Sequence, residues 1–148
     1  MNFTAKDEYG ILAVMRLAIH TGDAPVQARE IARLEKIPEQ FLEQVLAALR
    51  RAGIVKSIRG ASGGYELAKS PKDITAGDVI RGLSGPIVPS QINESEKTGS
   101  KLSESDVVAD LWKKILVAVS DILDKTTIQD LVDERARRSG LNNYMMYI

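Results

Sequence analysis

The 148-residue chain contains no cysteine. This absence excludes disulfides, thiol nucleophiles, cysteine zinc sites and cysteine-ligated iron–sulfur clusters. Histidine is almost as scarce, because His20 stands alone, and one imidazole leaves no case for a histidine metal site. Carboxylates are present, but none forms a recognisable pair with a nucleophile or base. We therefore predict that the protein is not an enzyme and that it holds no metal and no cofactor.

Long apolar runs are also missing. No stretch approaches the ~20 apolar residues that cross a bilayer, and no signal peptide opens the chain. We therefore predict a cytoplasmic protein without a membrane partner. The length suits about one domain, and a hydrophobic fraction of 44% is enough for a packed core.

The net charge of the chain is zero, so the overall composition does not indicate nucleic-acid binding. The distribution of charge is more informative than its sum. Four cations fall between residues 50 and 59 with no acid among them: Arg50, Arg51, Lys56 and Arg59. A positive field confined to one short stretch indicates a local contact with a phosphate backbone.

Two short amphipathic segments precede this basic stretch. Residues 28–35 and 39–51 carry apolar side chains at helical spacing, and Lys36-Ile37-Pro38 connects them tightly. Two short helices joined by such a turn predict a helix-turn-helix. A further helix is predicted ahead of it over residues 3–19, with Thr4 as its N-cap.

A β-hairpin is predicted directly after the second short helix. Residues 54–58 and 64–68 form its strands, and a glycine-rich turn that includes Gly60 joins them. A hairpin in this position is the wing of a winged helix-turn-helix.

The C-terminal half contains a helix at 75–83 capped by Thr75, a polar loop at 86–104 and a long helix at 106–124. A last helix, capped by Thr127, is predicted to end near Arg138, before the tail Tyr144–Ile148.

The long helix has more apolar surface than a small domain can bury, so a second copy is expected to cover it. The predicted dimer contacts are Val108, Leu111, Trp112, Ile115, Leu116 and Val119. Trp112 could alternatively stack on a ligand.

The predicted fold class is mainly α with a small β-hairpin. We divide it into a winged helix-turn-helix DNA-binding domain at 1–84 and a flexible loop at 85–105. A dimerisation helix, a last helix and a tail follow at 106–148.

The residues Leu49-Arg50-Arg51-Ala52-Gly53-Ile54-Val55 and the following Arg-Gly-x-x-Gly-Gly-Tyr-x-Leu at 59–67 resemble the Rrf2 family of bacterial winged-helix transcription regulators. The resemblance covers nearly the whole chain. It implies a homodimer whose long helices cross and which presents two winged units to a roughly palindromic operator on double-stranded DNA.

One departure from the family pattern indicates which branch of the family the chain resembles. Many members carry three cysteines in the loop before the long helix and sense iron, nitric oxide or redox state there, whereas residues 86–104 contain none. The chain therefore looks like the cluster-free branch, which includes regulators of cysteine metabolism. That branch implies cysteine synthase as a possible partner, which accepts C-terminal isoleucine tails such as the one ending at Ile148; a small metabolite is the other possible effector.

The predicted DNA contacts are Ala28, Arg29, Glu39, Gln40, Glu43, Gln44, Arg50, Arg51, Lys56, Arg59 and Gly60. Arg59 at the wing tip would enter a minor groove or bind a phosphate. Gln40, Glu43 and Gln44 on the second short helix would read base edges, or they form an ordinary solvated face. Arg50 and Arg51 would bind phosphates or interact with the helix C-terminal dipole. Ala28 and Arg29 open a helix that could hold a phosphate.

The predicted function is sequence-specific DNA binding by a homodimeric transcription regulator that represses its targets. The alternative is a winged-helix module that binds other proteins and not DNA, for which zero net charge and the acids Glu39 and Glu43 argue.

Overall fold

The fold is described from a computed structural model, which describes residues 3–87 and 104–146, with side chains from 106 to 141 in the second segment. Six α-helices and one two-stranded antiparallel sheet follow each other along these residues. Their bounds are α1 Ala5–Ile19, α2 Ala28–Glu35, α3 Glu39–Arg51, β1 Val55–Ile58, β2 Gly64–Leu67, α4 Ala76–Ser84, α5 Glu104–Lys125 and α6 Ile128–Met146. A single 3-10 turn, Pro71–Asp73, precedes α4. The predicted mainly α fold with a small hairpin is confirmed.

The core is built around α1, which packs against α2, α3, α4 and α6. Its fully buried members come from α1, α2, α3, α4 and α6: Ala13, Val14, Ile31, Leu42, Val45, Leu46, Leu49, Val79 and Ile128. Tyr9 on α1 and Phe41 on α3 meet edge to face, with ring centroids 5.4 Å apart. The apolar stripes predicted for the two short helices therefore face this core.

Three helices begin with the same cap. Thr4, Thr75 and Thr127 each accept a hydrogen bond from the backbone N–H of an aspartate three residues on, and that aspartate accepts one in return. These Thr-x-x-Asp capping boxes satisfy backbone donors that would otherwise be orphaned at the starts of α1, α4 and α6. The caps predicted at all three threonines are confirmed.

The hairpin pairs Val55 with Leu67 and Ile58 with Gly64. It is also tied to the segment before α2, because Val26 and Tyr65 exchange backbone hydrogen bonds of 2.9 and 2.7 Å. Gly64 makes this approach possible. A Cβ there would lie 2.5 Å from the Val26 carbonyl oxygen, and its φ of 149° is unfavourable for other residues. Tyr65 is half-buried and packs on the core.

The long helix α5 extends slightly beyond the predicted 106–124 at both ends. It is joined to α4 by the paired nitrogens of Arg81 and both carboxylate oxygens of Asp124, at 2.6 and 2.9 Å. This hydrogen bonding lowers the pKa of the Asp124 carboxyl and raises that of Arg81. None of the helices that the structure describes is long and apolar enough to cross a membrane.

The predicted end of the last helix near Arg138 is wrong, since α6 continues through Gly140 to Met146. Glycine inside a helix costs only about 1 kcal/mol relative to alanine, so a single glycine does not have to end one. Most of the predicted tail is therefore helical, and its last two residues, Tyr147 and Ile148, lie outside the described part. The predicted loop at 86–104 falls largely outside it as well.

Candidate nucleic-acid interface

The second helix of the predicted helix-turn-helix, α3, presents a polar stripe to solvent. Leu42, Val45, Leu46 and Leu49 hold its opposite side in the core. The stripe is consequently fixed in direction by four buried anchors. Its exposed members are Glu39, Gln40, Glu43, Gln44, Arg50 and Arg51. All the predicted base-reading side chains therefore lie on one accessible face.

The starts of α2 and α3 differ from those of the three capped helices. Both helices lie wholly within the described residues, and neither has a side-chain cap. Gln27 and Pro38 occupy the two N-cap positions. An anion such as a phosphate is stabilised at an uncapped helix start by the free backbone amides and by the positive end of the helix dipole.

The predicted wing contacts lie beside the start of α2, because the Val26–Tyr65 bridge joins β2 to the residues before that helix. Arg59 and Gly60 are exposed at the hairpin turn, where Gly60 has a φ of 113° and its carbonyl accepts from the Gly63 N–H at 3.0 Å. Arg29, on the first turn of α2, is exposed too, whereas Ala28 is half-buried. The wing tip therefore presents a guanidinium on a glycine-rich backbone that a groove can approach closely.

Lys56 is exposed, but it has an acidic neighbour that was not predicted. Its Nζ lies 3.1 Å from Glu66 Oε1, directly across the hairpin. The hairpin register could have revealed this pair, since residues 58 and 64 flank the turn and 56 and 66 are then opposite each other. Lys56 thus has a competing anion, and Arg59 belongs to none of the ion pairs that the structure shows among the described residues.

The outer surface of α2 carries a second ion pair. Arg33 donates two hydrogen bonds to the Glu30 carboxylate, and this bonding holds the pKa of Glu30 below its usual value. Both side chains are strongly exposed. Such pairs contribute little to stability, and here the pair removes one cation from the set that could bind phosphate.

The predicted dimer contacts form a stripe along α5. Val108, Leu111 and Trp112 are 49%, 50% and 42% exposed. Ile115, Leu116 and Val119, further along the helix, are half-buried. The helix therefore presents a large apolar surface to solvent over its N-terminal half, which is unusual for a chain that remains single.

The carboxylate of Glu35, at the end of α2, is a further charged group that was not predicted. It is 7% exposed and forms ion pairs with Arg16 and with Arg135. No local pattern could have revealed this contact, because Arg135 is a hundred residues away along the chain.

The donor atoms do not fit an iron centre. The chain has no cysteine and one histidine. Among the residues that the structure describes, no three His, Cys, Asp or Glu side chains come together as metal ligands. The Nδ1 of His20 instead lies 3.8 Å from a carboxylate oxygen of Asp23.

Comparison with known proteins identifies the class. The family model named Rrf2, described as an iron-dependent transcriptional regulator, matches residues 3–134. The HTH-type transcriptional regulator CymR of Bacillus subtilis (strain 168) is 40% identical over 148 residues, which is all of both chains. The regulator IscR of Pectobacterium carotovorum is 30% identical over 135 residues, covering 91% of this chain and 81% of that protein.

The solved structures that resemble this fold include the same two regulators, CymR and IscR. The structure of CymR, the global cysteine regulator of B. subtilis, has a TM-score of 0.77 and 40% identity, covering 90% of this chain and 98% of that one. That of T. potens IscR has a TM-score of 0.74 and 36% identity, covering 91% and 88%.

The protein is a helix-turn-helix regulator of transcription that binds DNA, and not an enzyme. This follows from its fold, from the exposed polar stripe of α3 and from its relatives. The chain belongs to the Rrf2 family. These findings support DNA binding and not the alternative of a winged-helix module that binds proteins alone. The family model is described as iron-dependent, but this chain has no cysteine. It therefore differs from family members that hold iron through cysteine.

Proposed function

We propose that this protein is a homodimeric, cytoplasmic repressor that binds a roughly palindromic operator. The observation that carries the proposal is the pair of uncapped helix starts on α2 and α3 beside a basic, glycine-rich hairpin tip. Two α3 helices would enter successive major grooves about 34 Å apart, with the wings on the flanking minor grooves. A dimer held on such a site would block transcription from it.

Within this arrangement the contacts divide into two groups. Gln40, Glu43 and Gln44 would read base edges, because glutamine pairs with adenine and glutamate accepts from the cytosine amino group. Glu39, at the start of the same stripe, would lie beside them. The N–H groups of Ala28 and Arg29, together with the side chains of Arg29, Arg50, Arg51 and Lys56, would hold phosphates and fix the register. Arg59 and the Gly60 backbone would occupy the minor groove, where narrow A·T stretches attract arginine.

The wing assignment is tested with Arg59→Ala. If Arg59 neutralises one phosphate, operator binding weakens and the slope of log K against log salt becomes shallower by about one unit. The measurement is fluorescence anisotropy with a labelled operator fragment at several salt concentrations. Arg138→Ala is the matched control, because Arg138 is an arginine that is 73% exposed on α6. An unchanged slope for Arg59→Ala would remove the wing from the interface.

The homodimer is tested with Leu111→Glu, which places a carboxylate in the middle of the exposed stripe of α5. Burying that charge between two copies is costly, so the variant should sediment as a folded monomer at micromolar concentration. Val117→Glu is the control, since at 100° per residue Val117 lies on the opposite side of α5 from Val108, and it is 60% exposed. If both variants remain dimeric, the dimer does not use this stripe.

The genes under control are proposed to be those of cysteine metabolism. Support comes from the 40% identity to a protein whose structure is titled as the global cysteine regulator of B. subtilis. Selection of genomic fragments by the purified protein tests this, because the genes beside the bound sites reveal the pathway. Repeating the selection with cysteine synthase present tests that enzyme as the effector partner, against a small metabolite; fragments unrelated to cysteine metabolism would overturn the proposal.

A further inference from the structure

The carboxylate of Glu35 is the most buried member of an ion-pair network that joins three helices. Glu35 is the last residue of α2, and its side chain is 7% exposed. Arg16 of α1 donates from Nε to Oε1 at 3.0 Å. Arg135 of α6 donates from Nη1 to Oε1 at 2.7 Å and from Nη2 to Oε2 at 3.2 Å. A buried carboxylate requires such partners, because an unpaired one would be expensive to desolvate.

One arginine would be enough to meet that requirement. Arg16 alone would leave Glu35 in a neutral ion pair, so the second guanidinium is not needed to compensate the buried charge. What Arg135 adds is geometry, since its two nitrogens contact both carboxylate oxygens in a fork. A fork fixes the orientation of the carboxylate, and with it the end of α2, relative to α6.

The end of α2 determines the direction of α3, the helix proposed to read the operator. Lys36 follows Glu35 in the left-handed conformation, with φ 56°, and reverses the chain. The Ile37 N–H then donates to the Ala32 carbonyl at 3.0 Å, and α3 begins at Glu39. The other end of α2 is held by the Val26–Tyr65 bridge to the wing. A shift of Glu35 would therefore tilt α2 and alter the direction of α3 relative to the wing.

We propose that Arg135 is a positioning residue for DNA binding, which acts through Glu35 to fix the angle between the helix-turn-helix and the C-terminal helices. The inference rests on the proposed operator binding. Because α6 directly follows α5, which carries the apolar stripe, the contact also ties the reading helix of each copy to the helix pair proposed to form the dimer.

The test compares Arg135→Gln with Arg137→Gln, both as full-length protein. Arg137 is a matched control on the same helix; it is 59% exposed and pairs with Glu134 and not with the helix-turn-helix. Arg135→Gln retains the Arg16–Glu35 pair, so the buried charge remains compensated. We expect it to weaken binding to an operator fragment about tenfold, a typical size for coupling through a positioning contact. Binding to random-sequence DNA and the salt slope should remain as in the wild type, and Arg137→Gln should change none of them.

Two results would overturn the proposal. One is wild-type operator affinity in folded Arg135→Gln, even if its melting temperature falls, because that would make the contact structural alone. The other is an equal loss on operator and random DNA with a slope shallower by about one unit, because that would make Arg135 a direct phosphate contact. If Arg135→Gln does not fold, Arg135→Lys decides. Lysine keeps the positive charge but cannot contact both carboxylate oxygens in a fork. Operator affinity below that of the wild type supports the proposal, and wild-type affinity refutes it.

Hydrogen exchange at the Lys36 and Ile37 amides, measured without DNA, separates this inference from the proposed function. Both amides donate to the Ala32 carbonyl in the turn. They should exchange faster in Arg135→Gln than in Arg137→Gln if the fork holds the turn. A wild-type protein that binds no DNA refutes operator binding, and unchanged exchange refutes positioning through Glu35.

Discussion

The starts of the helices divide this molecule into two regions. Helices α1, α4 and α6 each begin with a Thr-x-x-Asp capping box, whereas α2 and α3 begin at Gln27 and Pro38 without any side-chain cap. A capping residue is worth about 1 kcal/mol, and α1, α4 and α6 each have one. The two helices of the helix-turn-helix lack that stabilisation, and we propose that amides at their starts bind a DNA phosphate.

Buried contacts compensate for the missing caps. The reading helix α3 is anchored by Leu42, Val45, Leu46 and Leu49, and α2 by Ile31 and the buried Glu35. Tertiary packing supplies most of the stability of a helix in a folded protein, so α2 and α3 form without side-chain caps. We propose that the uncapped starts of α2 and α3 are where backbone donors contact DNA.

The largest expected effect comes from giving α2 the cap that it lacks. In Gln27→Asp a carboxylate would accept from the first-turn amides, raise the free energy of unfolding by about 0.5–1 kcal/mol and compete with a DNA phosphate. Operator affinity should fall about tenfold, equivalent to about 1.4 kcal/mol. Urea unfolding and anisotropy measure the two effects on the same samples.

Gln27→Asn is the neutral counterpart of this variant. It supplies a cap of similar strength without the negative charge, so it should stabilise the protein with a smaller loss of DNA binding. Wild-type affinity in Gln27→Asp would mean that the start of α2 does not face a phosphate.

Local features of the sequence were sufficient to predict the helix-turn-helix. The bounds of α2 and α3 match the prediction because apolar residues at helical spacing face the core and Pro38 marks the new start. The threonine caps were predictable because a capping box lies within four residues. The polar stripe from Glu39 to Arg51 follows from the same periodicity, since the buried face determines the exposed one.

Contacts between distant residues, and one helix end, were not predictable. Glu35 and Arg135 are far apart in sequence, and nothing near either residue indicates a partner. Gly140 suggests a helix end by its low propensity, yet α6 passes through it. The ion pair of Lys56 with Glu66 follows only from the hairpin register, because the two residues are ten positions apart in sequence.

A smaller effect is expected from removing a scaffold cap. In Thr75→Ala the hydrogen bond from the Asp78 N–H to Thr75 Oγ1, 3.0 Å long, is lost from the start of α4. The free energy of unfolding should fall by about 1 kcal/mol, measured by urea denaturation. Operator affinity of the folded protein should remain unchanged, because α4 belongs to the scaffold. Weaker DNA binding at unchanged stability would contradict the division between the two regions.

The smallest effect is expected from the ion pair that joins two scaffold helices, tested by Arg81→Gln as a function of pH. Arg81 lowers the pKa of the Asp124 carboxyl from its ordinary 3.8. A lowered folded-state pKa gives stabilisation that is present above the unfolded pKa and is lost as the pH falls through the folded one. The urea midpoint of wild type should therefore exceed that of Arg81→Gln at neutral pH, and the gap should close as the pH falls through the lowered pKa of Asp124, below its ordinary 3.8. Both side chains are substantially exposed, so the gap is small. A gap that is independent of pH would mean that Arg81 stabilises α4 by packing and not by its charge.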